Sequence, residues 1–272
     1  MIKLRPSSNI KVIKDKVNNV PLLILKPLNP KPNAPGILWI HGGGYILGMK
    51  EMVYISRAIS LVEKYGAIVI SPGYRLAFQK PYPAAIEDCY CALKYMKENA
   101  PSLGINPHQL MIGGESAGGG LCVALSIMAR DKKEIDIAYT MPLYPMLDNF
   151  DTPSSKNNHG KVWNTRRNHF GWKMYLRNNF NKEVPSYASP AREKDYSNLP
   201  PTYTFVGDKE PFYDETLTFI DNLKKAGVKA SVDVYSTNMH AFDMLKPGLE
   251  ISKQAIKKFE ENFEYALSHY FK

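Results

Sequence analysis

Cysteine is scarce in this chain, and long apolar runs are absent. The three cysteines among 272 residues, Cys89, Cys91 and Cys122, cannot all pair, and two of them fall on one predicted helix. A disulfide-built scaffold is therefore excluded, and the thiols read as buried apolar fillers in a reducing compartment. No stretch approaches the roughly 18 apolar residues of a membrane span. The leading Met1-Ile2-Lys3-Leu4-Arg5-Pro6 lacks the apolar core of a secretory signal. The expectation is a cytoplasmic protein with no membrane partner. Internal repeats and low-complexity tracts are also missing. Acidic residues are outnumbered, 26 against 35 basic, giving a net charge of +9. The lysines, such as Lys11, Lys132, Lys224 and Lys257, are scattered and form no basic stripe with interleaved aromatics. That distribution argues for a solvated surface and against a nucleic-acid partner. No spacing of residues suggests a metal or an organic cofactor.

With 44% hydrophobic and 22% charged residues, the composition is that of an ordinary globular protein. Its length suits a single α/β domain over residues 1–272. Ile10 to Ile13 and Val20 to Lys26 read as an antiparallel hairpin turning at Val17-Asn18-Asn19. The runs Gly36 to Ile40 and Ala67 to Ile70 are continuously apolar, as expected of strands covered on both faces. A helix from about Tyr54 to Tyr65 separates them, and another follows from Ala84 to Asn99. Leu110 to Ile112 reads as a strand end and Leu121 to Arg130 as a helix. Ile137 to Met141 reads as a strand ended by Pro142 and Pro145. Residues 148–189 change character, being rich in Asn, Arg and aromatics without a buried-strand run. They read as an inserted cap of short helices. The alternation resumes with strand Thr202 to Val206, helix Pro211 to Ala226, strand Ala230 to Tyr235 and a closing helix from Glu250 to Tyr270. Strands alternating with helices predict an α/β fold with a mainly parallel sheet.

Between the Leu110 strand and its helix lies Gly114-Glu115-Ser116-Ala117-Gly118, the G-x-S-x-G pattern of a nucleophile elbow. The pattern is short enough for chance to supply, so the remaining parts of a hydrolytic site decide its meaning. A serine hydroxyl needs a base to take its proton, and the base needs a third group to hold it. Of six histidines, only His240 follows a late strand in a loop, the position where parallel sheets place their sites. The acid should follow the preceding strand. Asp214 and Glu215 fall in the first turns of a helix, where carboxylates serve the helix dipole. Asp208 and Glu210 remain as alternatives. Gly42-Gly43-Gly44 directly follows a buried strand, so the Gly43 and Gly44 amides, with that of Ala117, are candidates for an oxyanion hole.

His41-Gly42-Gly43-Gly44, Gly114-Glu115-Ser116-Ala117-Gly118-Gly119, Tyr74-Arg75-Leu76-Ala77 with Pro83-Ala84-Ala85-Ile86-Glu87-Asp88, and Asn238-Met239-His240-Ala241-Phe242 occur in this order. With them the chain resembles the hormone-sensitive-lipase-like esterases, the H-G-G-G group of the α/β-hydrolases, from about Pro30 onward. The resemblance implies an α/β-hydrolase fold and a lipase-like serine carboxylesterase acting on small, short-acyl esters, with no cofactor and a homodimer. It also places the acid. Glu210-Pro211-Phe212-Tyr213-Asp214-Glu215 aligns with the family's D-P-L-x-D-E, implying Glu210 with glutamate in place of aspartate. Phe78-Gln79 stands where the family has Pro-Glu, and the N-terminal cap is reduced to a short lead and hairpin. Tyr45, Trp163, Trp172 and Tyr175 are candidate walls for an apolar substrate. An amide hydrolase on the same machinery is the alternative reading, and a non-catalytic ligand-binding member is a further one.

Overall fold

A computed structural model describes residues 8–272, and the N-terminal stretch Met1 to Pro6 lies outside the described residues. One eight-stranded sheet runs through the molecule in the order β1-β2-β4-β3-β5-β6-β7-β8. The strands are β1 Ile10–Val17, β2 Val20–Pro27, β3 Ala34–Ile40, β4 Ile68–Pro72, β5 Ile105–Glu115, β6 Tyr139–Leu143, β7 Thr202–Gly207 and β8 Ala230–Tyr235. β1 pairs antiparallel with β2, and β2 with β4, while every pairing from β4 to β8 is parallel. The α-helices are α1 Ala58–Tyr65, α2 Ala84–Glu98, α3 Ala100–Leu103, α4 Ala117–Lys132, α5 Pro153–Lys156, α6 Thr165–Leu176, α7 Tyr213–Lys225, α8 Phe242–Leu245 and α9 Glu250–His269.

Local chemistry accounts for the main elements. The hairpin closes on Asn18 and Asn19, with φ of 46° and 69°. Two successive left-handed residues suit the right-handed strand twist, and asparagine tolerates that region. The central strands are buried along their whole lengths, so their side chains alternate between two cores. Leu38, Ile40, Ile70 and Ile112 pack under α2 and α4. Ile37, Trp39, Val69 and Met111 pack on the other face, with Leu61 of α1 and Phe259 and Phe263 of α9. That double burial explains the continuous apolar runs.

Several boundaries differ from the sequence reading. β4 continues through Ser71 and Pro72, and α1 begins at Ala58 after a 3₁₀ turn over Lys50–Ile55. Pro142 lies inside β6 and does not end it. Its neighbours Thr140 and Tyr144 donate to Pro201 and Phe205 across to β7, at 2.9 and 3.0 Å. Position 142 has no N–H to continue that ladder, and the two strands share a single register pair, Thr140 with Thr202. The Pro142 carbonyl instead accepts the Thr204 hydroxyl at 2.5 Å.

Between β6 and β7 lie α5, α6 and two 3₁₀ turns. α6 packs against the loop after β3: a Cβ on Gly171 would stand 2.9 Å from the Gly44 carbonyl. Tyr45, Trp172 and Tyr175 interlock in the seam, with Tyr45 and Tyr175 rings stacked 4.0 Å apart. Among the described residues, no helix is long and apolar enough to cross a membrane.

Candidate active site

β5 enters the core and turns into α4 at Ser116, whose φ of 56° and ψ of −119° lie in a region L-residues avoid. Both backbone groups of the serine are pinned. Its N–H donates to Leu143 at 3.0 Å, and its carbonyl accepts the N–H groups of Gly120 and Met146 at 2.9 and 3.0 Å. The turn is possible because α4 starts almost in contact with β3. A Cβ on Gly118 would lie 2.1 Å from the Ile40 carbonyl oxygen.

His240, in the loop after β8, places Nε2 2.9 Å from Ser116 Oγ. Its Nδ1 makes a short hydrogen bond with Glu210 Oε2. Glu210 is fully buried, and its Oε1 accepts the Gly207 N–H at 2.7 Å. The imidazole is wedged edge-to-face between Tyr144 and Phe212, with ring centroids 5.0 and 5.1 Å away. Ser116, His240 and Glu210 thus form one buried line of hydrogen-bonding groups from three strand ends.

Asp208 does not reach the histidine. Its Oδ1 accepts the Thr237 N–H at 3.0 Å and ties down the loop that carries His240. Asp214 and Glu215 also have other tasks than the helix dipole. Asp214 accepts the Ser154 N–H at 2.6 Å, joining α5 to α7, and Glu215 accepts the Leu147 N–H at 2.7 Å. Burial raises the Glu215 carboxyl well above the ordinary range.

The loop after β3 returns to the elbow. A Cβ on Gly42 would lie 3.2 Å from Ser116 Cβ and 2.8 Å from the Glu115 carbonyl. The loop is closed by the Ile46 and Leu47 amides, which donate to the Gly43 carbonyl at 3.1 and 2.9 Å. Gly43 and Gly44 have φ of 117° and 61°, and a Cβ on Gly44 would collide with the Trp163 ring at 2.2 Å. Ala117 supplies the first amide of α4, one of the helix-start donors with no carbonyl a turn earlier to bond. The glycine loop and the elbow therefore flank the serine from two sides, with Trp163 lying over Gly44. Tyr45, Trp172 and Tyr175 are buried against one another in the seam between α6 and the loop after β3.

His41 is buried and stacked on Tyr74, 4.2 Å between centroids, with Nδ1 2.8 Å from the Gly42 carbonyl oxygen. Burial drives its imidazole down to about 4, so it is neutral at pH 7. His169 pairs with Asp151 at 2.7 Å and His269 stacks on Tyr265. Arg75 grips Asp88 through Nε and Nη2 at 2.8 and 2.7 Å, fastening the segment before α2. Gln79 accepts the Leu76 N–H at 2.9 Å, and Phe78 is exposed.

One feature of the site was not legible in the sequence. Behind these three residues, the buried Asp243 accepts the Tyr144 hydroxyl at 2.9 Å and pairs with Arg57 Nε at 3.1 Å, an ion pair without hydrogen-bond alignment. Glu115, next to the serine, accepts the Trp39 indole N–H at 2.8 Å. Burial pushes its carboxyl up to about 8, against the opposing pull of that donor. Residues 57, 144 and 243 share no local pattern, so nothing in the chain announces their meeting. Only Glu115 had a signal, its place beside Ser116. Among the described residues, no cluster of His, Cys, Asp and Glu could hold a metal ion.

A family model described by its α/β-hydrolase fold matches residues 37–244, and the chain belongs to this family, that of the hormone-sensitive-lipase-like esterases. An arylesterase of Saccharolobus solfataricus is 32% identical over 227 residues, covering 82% of this chain and 72% of the relative. Among solved structures, the esterase LipW of Mycobacterium marinum superposes with a TM-score of 0.88 at 27% identity, covering 95% of this chain and 82% of that one. A bacterial heroin esterase gives 0.87 at 28% identity, covering 92% and 82%.

Proposed function

We propose that the protein is a serine carboxylesterase acting on small, short-acyl esters. The observation that carries this reading is the buried line Ser116 Oγ, His240, Glu210. In the acylation step His240 Nε2 takes the Ser116 proton as Oγ attacks the ester carbonyl. Glu210 Oε2 accepts the Nδ1–H bond, keeping the imidazole in the tautomer that presents a lone pair to the serine and stabilising the imidazolium that forms. The amides of Gly43, Gly44 and Ala117 hold the developing oxyanion, a contribution of about 10²–10³-fold per donor in such sites. His240 then returns the proton to the departing alcohol, and water, activated by the same histidine, releases the acyl group. No metal or organic cofactor enters these steps. The oxyanion loop is covered closely by Trp163, which supports a preference for short acyl chains.

The assay is hydrolysis of 4-nitrophenyl acetate by the wild type and by Ser116→Ala. The substitution is expected to lower kcat/KM by at least about 10³-fold, and equal rates would refute the reading. Running the matching anilide beside the ester separates esterase from amidase, and faster anilide cleavage would move the assignment to an amide hydrolase. The same family reading carries a homodimer formed through the β8 edge or α9, supported by the exposed Val234 and Tyr265 there. A monomer in sedimentation equilibrium would remove it. The three free cysteines support residence in the cytoplasm.

A further inference from the structure

Beside the oxyanion loop, a groove of about 810 Å³ opens between Ile46 and Leu47 on one side and α6 on the other. That is the size of a small-molecule site. Trp163, the same ring that lies over Gly44, is among its lining residues. Arg166, Phe170 and Lys173 line it from α6. At spacings of four and three they share one helix face.

The charge in this groove is one-sided. Arg166, Arg167 and Lys173 line it, and none of its lining residues is a carboxylate. Among the described residues, none of these three cations has a carboxylate within ion-pair distance, whereas His169 is paired with Asp151. Arg167 donates to the carbonyls of Lys161 and Val162, which leaves its charge uncompensated. The two arginines also sit in the first turn of α6, where no acid accompanies them and the helix dipole is already positive. Cations there raise a local positive potential that the fold does not itself neutralise. The rim is apolar as well. Leu47 is 60% exposed, Phe170 48% and Phe78 56%, with Phe78 and Phe170 rings 6.4 Å apart. Phe78 is one of the residues that departs from the family pattern.

We propose that this groove receives the anionic end of an amphiphilic substrate. The substrate class is a carboxylic ester with an apolar body and a carboxylate remote from the scissile bond. The scissile carbonyl lies at Ser116, the body runs past Trp163 along Phe170 and Leu47, and the carboxylate meets Arg166 and Lys173. This deepens the ester-hydrolase reading and rests on it for the position of the reacting carbonyl.

The test compares mono-4-nitrophenyl glutarate with its neutral counterpart 4-nitrophenyl pentanoate. Two solvent-facing cations favour the anionic ester by about fivefold in kcat/KM at low salt. The preference is expected to vanish in Arg166→Glu/Lys173→Glu and in about 0.5 M salt, where the screening length falls to roughly 4 Å. Arg166→Gln/Lys173→Gln should lower it less, and circular dichroism melting shows whether each variant is folded. Lys224→Glu, on the exposed end of α7, should leave the ratio unchanged, which separates the groove from the net charge. A ratio of one or below in the wild type, or an unaltered ratio in the double variants, overturns the proposal. A second arm titrates Ser116→Ala with monophenyl glutarate and phenyl pentanoate, followed by tryptophan fluorescence. Tighter binding of the anion with no turnover of any ester by the wild type would uphold the groove and overturn the hydrolase reading. Turnover without charge preference does the reverse.

Discussion

Glutamate at position 210 poses a problem of reach, since it is one methylene longer than aspartate. The structure accommodates the extra length by anchoring Oε1 on the Gly207 N–H and turning Oε2 to His240. Asp208, two residues earlier, is directed to Thr237. The two carboxylates therefore separate cleanly under mutation. Glu210→Gln is expected to lower kcat by about 10²–10⁴-fold, because an amide favours the wrong imidazole tautomer. Asp208→Asn loosens only the loop anchor and should cost less than about tenfold. Steady-state kinetics on both variants checks this, and a larger loss at Asp208 would contradict it. At this scale the sequence was informative where a motif fixed the neighbours. Ser116 was a candidate from the G-x-S-x-G pattern and His240 from its loop after a late strand, and Glu210 only through alignment with a family pattern. The Asp243–Arg57–Tyr144 cluster was not legible, because it depends on contacts 99 and 186 residues apart.

The elements that matter most are the β5–α4 elbow, the loop after β3 and α6, since each limits the others. Gly44 is where the loop meets Trp163, with its φ of 61° and the indole ring where a side chain would go. Gly44→Ala must both strain the backbone and displace the indole. A loss of about 1–3 kcal/mol in unfolding free energy, with a fall in kcat beyond what Trp163→Ala produces, is the expected result of denaturation and kinetics on the two variants. A Gly44→Ala protein as stable and active as the wild type would show that the loop has room. Element existence was readable from apolar runs and periodicity, and β8 matches residue for residue, whereas β1 continues past the expected Ile13 through Val17, which the sequence reading had placed in the turn. Boundaries were harder where tertiary pairing outweighs local preference. Pro142 reads as a strand terminator, yet it is carried inside β6 by the parallel pairing with β5, in register with Gly114. The aromatics of 148–189 announced packing without saying against what. Three-dimensional proximity sorts them, with Trp172 and Tyr175 in the seam around Tyr45 and Trp163 over Gly44.

For the whole molecule, the buried ionisable groups make stability depend on pH. Glu115 moves from its ordinary 4.5 in the unfolded chain to about 8 when folded. Between those values the unfolded state has released the proton and the folded state retains it, so the unfolded state binds fewer protons and stability falls as pH rises. Glu115→Gln removes this contribution. Its unfolding free energy should decline less steeply than the wild type's from pH 5 to 8, by up to about 1 kcal/mol per pH unit, as read from denaturant midpoints. Identical slopes would mean that Glu115 is ionised in the fold. His41 acts in the opposite sense, since its folded value of about 4 lies below the ordinary 6.5. Its contribution to stability is complete above pH 6.5 and is lost as pH falls toward 4. Parallel-sheet architecture follows from the alternating pattern of the chain, but the cost of burying these acids follows only from the assembled core.

The central claim is that Ser116 is a nucleophile activated by His240, and covalent labelling tests it most directly. A fluorophosphonate loses fluoride to a serine whose proton has an acceptor far faster than to an ordinary hydroxyl. Peptide mass spectrometry of the treated wild type should find the adduct on the peptide containing Ser116, formed at least about 10³ times faster than in His240→Asn. No adduct, an adduct on a different residue, or equal rates in the two proteins would contradict the account.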